Sequence, residues 1–306
     1  ATALAGNPGA DGEASLREAL EVMDENNDIQ VLFTGDFTIN LQSDLPFVEM
    51  ANNGLIDAEG QAIVLDGNGT RSGVSFLLGS NVTVRGLTFL NCANGLTAFL
   101  GTGYRIEGCT FGRPGAGNGI GLNLQGNLSA TVGGTAPGAG NTFEDNDIAL
   151  QMVGPSSFTN HEVALFGNIF GVDVSGASPP ATTTGNDIAI QAVNPARARQ
   201  IGGFAHGEPN IIAGNNVGIE ANNTTNTAWP SNVITQNDDG NPGTRDGLRL
   251  LNAANGGIAP PTLTLNAGEV TVTGAGDTAV LFADPGAQGG TFVTATPLTG
   301  GTATLT

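Results

Sequence analysis

Along the middle of the chain, apolar and polar residues alternate in short runs. Ile148-Leu150-Met152, Ile188-Ile190-Ala192 and Val217-Ile219-Ala221 each put small or aliphatic side chains at every second position. Alternation makes one face of a strand apolar, and closing the chain into a coil turns that face into an interior. Ile148, Leu150, Ile188, Ile190, Val217 and Ile219 are therefore the expected core. An asparagine stands just ahead of each triplet, at Asn146, Asn186 and Asn215. Asparagine tolerates left-handed backbone, and its amide can bond both its own turn and an identical residue stacked above. These three are the expected rungs of a ladder.

The pattern is periodic. "VGGTAPGAGNTFEDNDIALQM" from Val132 and "IGGFAHGEPNIIAGNNVGIEA" from Ile201 align without a gap at an offset of 69, with Gly133 on Gly202, Asn141 on Asn210 and Asn146 on Asn215. "NVTVRGLTFLNC" from Asn81 and "YRIEGCTFG" from Tyr104 align at an offset of 22, with Gly86 on Gly108 and Phe89 on Phe111. Reading 69 as three times 23 gives a unit of about 22 residues holding two or three short strands, one turn of a parallel β-solenoid. Such turns stack about 4.8 Å apart, so like sits on like. Stacked charges would repel, which accounts for the absence of charge from the triplets.

Two segments leave this rhythm. Ser15 and Glu18 make a capping box, and Leu16, Ala19, Leu20 and Met23 follow at helical spacing, predicting a helix over 15–26 that closes one end of the coil stack. From Gly257 onward a Pro-Pro pair, 260 and 261, precedes short alternating strands with Gly turns, read as a small β-sandwich-like or strand-exchange module. The expected division is 1–28 for an N-terminal strand and capping helix, 29–256 for the β-helix and 257–306 for the last module. Ser178–Thr184, Pro195–Arg199 and Gln236–Gly247 read as loops projecting from the corners, where binding usually resides.

Charge narrows the function. Asp and Glu number 28 against nine basic residues, all Arg, for a net charge of −19. Such a surface repels phosphate backbones and anionic membranes, so a nucleic-acid partner is not expected. No apolar run reaches the length of a membrane span. The two cysteines, Cys92 and Cys109, do not make a disulfide framework. In the repeat register Cys109 falls where Leu87 falls one coil earlier, the place of a small buried hydrophobe.

"GEASLREALE", "GNIFGVDVSG", "PNIIAGNNVGIEA" and "GIAPPTLT…AVLFADPGAQGGTF" together resemble the secreted bacterial right-handed parallel β-helix proteins of the CSLREA type, across most of the chain. Ala14 stands where that family has Cys. The resemblance implies an all-β, right-handed parallel β-helix in an exported or cell-surface protein whose signal peptide has been removed. It also implies an immunoglobulin-like character for the last strands.

Candidate chemistry is sparse. Asp238, Asp239, Arg245 and Asp246 share one loop, with Arg249 in the next strand, and paired carboxylates are what glycoside hydrolysis needs. The same letters, "DDGN", are also ordinary turn chemistry. Lyase chemistry calls for a cationic base, and with no Lys in the chain only Arg could serve. Glu144, Asp145 and Asp147 form a second acidic group that could take Ca2+, yet their repeat mates are Ala213, Gly214 and Asn216, so the coil does not require the acidity. His161 and His206 lie far apart in the repeat with no Cys at metal spacing. The expectation is a non-enzymatic extracellular structural or adhesive solenoid without a cofactor. It would self-associate through its ends or residues 257–306 and could meet a surface glycan. A carbohydrate-active or glycan-binding module using the Asp238–Asp246 loop is the alternative, and a phage-type fibre domain is a third.

Overall fold

The structure is a computed structural model that describes residues 15–126, 128–154, 162–171, 185–193, 197–202, 209–222, 232–235, 237 and 248–251, and five strands between 262 and 305; at 197–200, 233, 235, 248–251 and from 262 onward only the backbone is described. Helix α1 spans Leu16–Glu25. Ser15 Oγ accepts the Glu18 amide while Glu18 returns a bond to the Ser15 amide, so two orphan donors of the first turn are satisfied. Leu16, Ala19, Leu20 and Met23 are its buried face.

The chain then winds as a right-handed parallel β-helix of three parallel sheets. The first sheet stacks Gln30–Leu32, Leu55–Asp57, Thr83–Arg85, Gly101–Glu107, Leu128–Gly133, Glu162–Phe166 and Arg197–Ile201. The second stacks Phe37–Asn40, Ile63–Asp66, Leu87–Leu90, Thr110–Phe111, Thr142–Phe143, Ile169–Gly171, Ile211–Ala213 and Val233–Thr235. The third stacks Phe47–Val48, Val74–Phe76, Asn94–Ala98, Ile120–Gln125, Ile148–Val153, Ile188–Val193, Val217–Asn222 and Leu248–Leu251. The described coils visit the three in that order, so paired strand positions of successive coils lie directly above one another.

The coil is less regular than the sequence repeat suggests. Val84 pairs with Ile106, 22 residues on, whereas Ile148 pairs with Ile188, 40 residues on, and Ile188 with Val217, 29 on. The 69-residue repeat therefore spans two coils rather than three. Insertions at the corners lengthen a coil without touching the strands, because only the stacked positions must match. Pro195–Arg199, read as a loop, instead enters a strand from Arg197, paired with Glu162–Leu165 in the first sheet.

Leu150, Ile190 and Ile219 are buried at 0–1% exposure, and Val217 is buried. Ile148 and Ile188 are only half-buried, while Ala149 and Ala189 beside them are fully buried. The strand leaves the asparagine corner through a bend, and a strict period of two holds only after it. Asp145, just before that corner, is left-handed at φ 58°.

The last strands are antiparallel: Thr262–Asn266, Glu269–Thr273 and Thr302–Leu305 form one sheet, and Thr278–Ala283 pairs with Thr291–Pro297.

Candidate functional site

Two columns of asparagine run up the interior corners. In the first, between the second and third sheets, Asn118 Nδ2 donates to Asn146 Oδ1 (2.8 Å), Asn146 to Asn186 (2.8 Å), Asn186 to Asn215 (2.8 Å) and Asn215 to Asn237 (2.9 Å). Each acceptor oxygen also takes the main-chain N–H of the residue below. The other amide hydrogen goes to a carbonyl of the preceding coil, Phe89, Phe111, Phe143 or Phe170. Asn146, Asn186 and Asn215 are thus consecutive members of one ladder. In the second column, between the first and second sheets, Asn141, Asn168, Asn210 and Asn232 repeat the pattern at 2.9 Å per step. The sequence reading missed this column, although Asn141 and Asn210 align within the 69-residue repeat.

Both ladders begin on a cysteine. The Cys92 and Cys109 amides donate to Asn118 Oδ1 and Asn141 Oδ1, and each thiol faces the carbonyl two residues earlier, at 3.3 and 3.4 Å. They stand one coil before the first asparagine, making a weaker version of its contacts. Both are free and buried, and burial pushes the thiols up to about 12. A neutral thiol is a poor nucleophile, so neither is chemically active in the fold. Between the ladders Phe89, Phe111, Phe143 and Phe170 stack nearly parallel, with centroids 5.1, 4.7 and 4.5 Å apart. The repeated Thr-Phe pairs at 88, 110 and 142 were the available signal.

The outer face of the first sheet carries the described charge cluster. Arg85 bonds Asp57 one coil below at 2.6 Å and lies 3.6 Å from Glu59, and Arg105 bonds Glu107 at 2.6 Å. The Arg85 guanidinium holds the Asp57 carboxyl below its ordinary value, and Asp57 in turn raises Arg85. Beside this cluster Gly101–Tyr104 bulges out of register, and a shallow groove of about 380 Å³ opens over Gly103, lined by Asn81, Arg105, Ser129, Thr131 and Glu162. Bulges of this kind re-aim side chains at sheet surfaces. Hydroxyls, an amide, a cation and a carboxylate around a shallow floor can hold a polar ligand. They do not form a nucleophile-and-base pair.

Glu144, Asp145 and Asp147 do not converge. Asp145 Oδ2 accepts the Gly115 amide at 2.6 Å, and burial raises the Glu144 carboxyl. Among the described residues no three His, Cys, Asp or Glu side chains gather as a metal site. Asp238, Asp239, Arg245 and Asp246 lie outside the described residues, as do His161 and His206; Arg249 pairs in register with Glu220. Among the described residues no helix is long and apolar enough to cross a membrane. Comparison with family models, with curated proteins and with solved structures finds no match to this chain.

Proposed function

We propose that this chain is a non-enzymatic structural rod of a bacterial exterior, of the CSLREA type, that works by presenting and extending a surface rather than by turning over a substrate. The observation that carries this reading is the continuity of the interior columns. Between Phe89 and Asn237, two asparagine ladders and a phenylalanine stack tie successive coils together through side chains as well as backbone. Such coupling resists bending between coils, a property of use to a rod. The acidic, lysine-free surface supports an extracellular setting. The antiparallel strands between Thr262 and Leu305 support an immunoglobulin-like module in which Thr302–Leu305 pairs with Glu269–Thr273 of its own chain.

Imaging of the purified chain, with a panel of polysaccharides assayed in parallel, tests the reading. Rods or filaments without turnover are the expected result; cleavage of any glycan, abolished by Asp238→Asn with Asp239→Asn, refutes it. The groove beside Arg105 favours a second reading, a glycan-binding module, which requires saturable binding lost in Arg105→Ala.

A further inference from the structure

Core columns end in exposed apolar side chains at both ends of the second sheet. Phe37 occupies the column continued by Ile63 and Leu87, both 0% exposed, yet Phe37 is 48% exposed. At the far end Ile234 continues the column of Phe170 and Ile212, both 0% exposed, yet it is 37% exposed. Among the described residues no further strand of this sheet lies beyond either one. Leu32, Phe47 and Met50 are also more than half exposed on the first coil.

Helix α1 covers only part of the head. Met23 packs by Gly54, Asp24 Oδ1 accepts the amides of Glu49 and Met50, and Arg17 bonds the Ser43 and Asp44 carbonyls. These contacts lie on the third-sheet side, leaving Phe37–Asn40 as an edge that no strand pairs on its outer side among the described residues, with three of its four residues exposed. An open parallel edge offers unpaired N–H and C=O groups to another strand.

We propose that the head of one molecule docks on the tail of a second copy, with Phe37–Asn40 adding to Val233–Thr235 so that the second sheet runs on through the junction. This rests on the reading of the chain as an assembling rod. The far end of the same solenoid presents parallel edges at the spacing of one coil, which a single peptide strand does not. Charge supports the polarity: residues 15–50 hold eight acidic residues against Arg17, so two heads repel and head-to-head contact is disfavoured.

The test is sedimentation of the full chain across roughly 1 µM to 1 mM. Wild type is expected to lengthen with concentration. Phe37→Glu and Ile234→Glu each bury a charge at the junction, and each is expected to weaken association by about tenfold or more. Phe37→Gln, a milder change, gives the same direction, and circular dichroism verifies that all three variants fold. An equimolar mixture of Phe37→Glu and Ile234→Glu has one intact head and one intact tail, so it is expected to form dimers and stop there. A mixture that stays monomeric, or a Phe37→Glu variant that assembles like wild type, overturns the docking surface and leaves the rod reading standing. A full chain monomeric throughout overturns head-to-tail docking, whether residues 1–14 or nothing covers the head. Glycan turnover alone refutes the non-enzymatic reading.

Discussion

Removing one rung of a ladder tests how much of the fold depends on side-chain columns. In Asn146→Ala the Asn118 amide and Asn118 Nδ2 lose their shared acceptor, Asn146 Oδ1, and the Phe111 carbonyl loses one of its two donors, keeping the Glu144 amide. Asn186 Oδ1 keeps one of two donors, the main-chain N–H of residue 146. Two buried donors are thus orphaned where Asn146 is 2% exposed. At ~1–3 kcal/mol each, with the stack relaxing to recover part, the expected loss is about 3 kcal/mol. Asn216→Ala is the control, since it removes one exposed bond to Asp187 and should change stability by less than ~0.5 kcal/mol. Urea unfolding followed by circular dichroism measures both.

Asn146→Asp separates hydrogen-bond direction from packing. It keeps an acceptor for Asn118 but replaces the amide donor with a carboxylate facing the oxygens of Phe111, Glu144 and Asn186. Burial among acceptors raises the folded pKa above the unfolded value. Stability is then fully present below the unfolded carboxylate pKa and lost as pH rises through the folded one. The variant is expected to be at least as unstable as Asn146→Ala at pH 7 and to recover toward pH 4. An alanine variant within ~1 kcal/mol of wild type, with an aspartate variant indifferent to pH, would falsify the claim that the ladder holds the coils together.

Phe143→Ala, in the middle of the aromatic stack, should cost about 3–5 kcal/mol and Phe143→Leu nearer 1, read from the same unfolding curves; equal effects would mean that stacking shape does not matter. Gly133→Ala should destabilise more than Gly69→Ala: both sit at φ +78°, but a Cβ at Gly133 collides with the Phe166 carbonyl whereas Gly69 faces open space, so the difference isolates the close approach between coils. Cys92 and Cys109 should resist alkylation at pH 8 until urea unfolds the chain, as followed by intact mass; rapid native labelling would contradict their burial. Arg85 lowers the folded pKa of Asp57, so the pair stabilises above the unfolded carboxylate value of about 3.9 and that contribution fades as pH falls through the folded value. With the Arg85 side chain 38% exposed, Asp57→Asn should cost under ~1 kcal/mol at pH 7 and flatten the acid limb of the stability curve.

What could be read from the sequence was what stacking forces to repeat. Asn146, Asn186 and Asn215 were legible because a buried amide has to recur at the same corner to satisfy its neighbours, and Leu150, Ile190 and Ile219 because an interior strand position admits little else. The count of coils was not legible: stacking constrains the strands and leaves corner insertions free, so a 69-residue repeat can hold two long coils as easily as three short ones. Strict alternation likewise failed at Ile148 and Ile188, which follow directly on the corner that Asn146 and Asn186 close, while Val217 after the equivalent corner is buried. No alternating pattern records how a strand leaves its corner. The Arg85 cluster was missed because its members lie 28 residues and one coil apart, meeting only through register.

The acidity, too, takes a different meaning from the structure. Several carboxylates serve the coil corners: Asp24 takes the Glu49 and Met50 amides, Asp36 the Ala62 amide, Asp44 the Ser72 amide, and Asp145 the Gly115 amide. In each case the donor lies on another segment at the end of the turn, where the sheet ladder cannot reach it, and a carboxylate is a stronger acceptor there than a neutral side chain. The acidic composition thus follows in part from closing corners with Asp. A negative surface is then no sign of a cationic ligand by itself. The described features that no corner explains are the uncovered apolar ends and the groove beside Arg105. Contact with other molecules is to be sought there, along the axis at Phe37 and Ile234 and on the flank at the bulge.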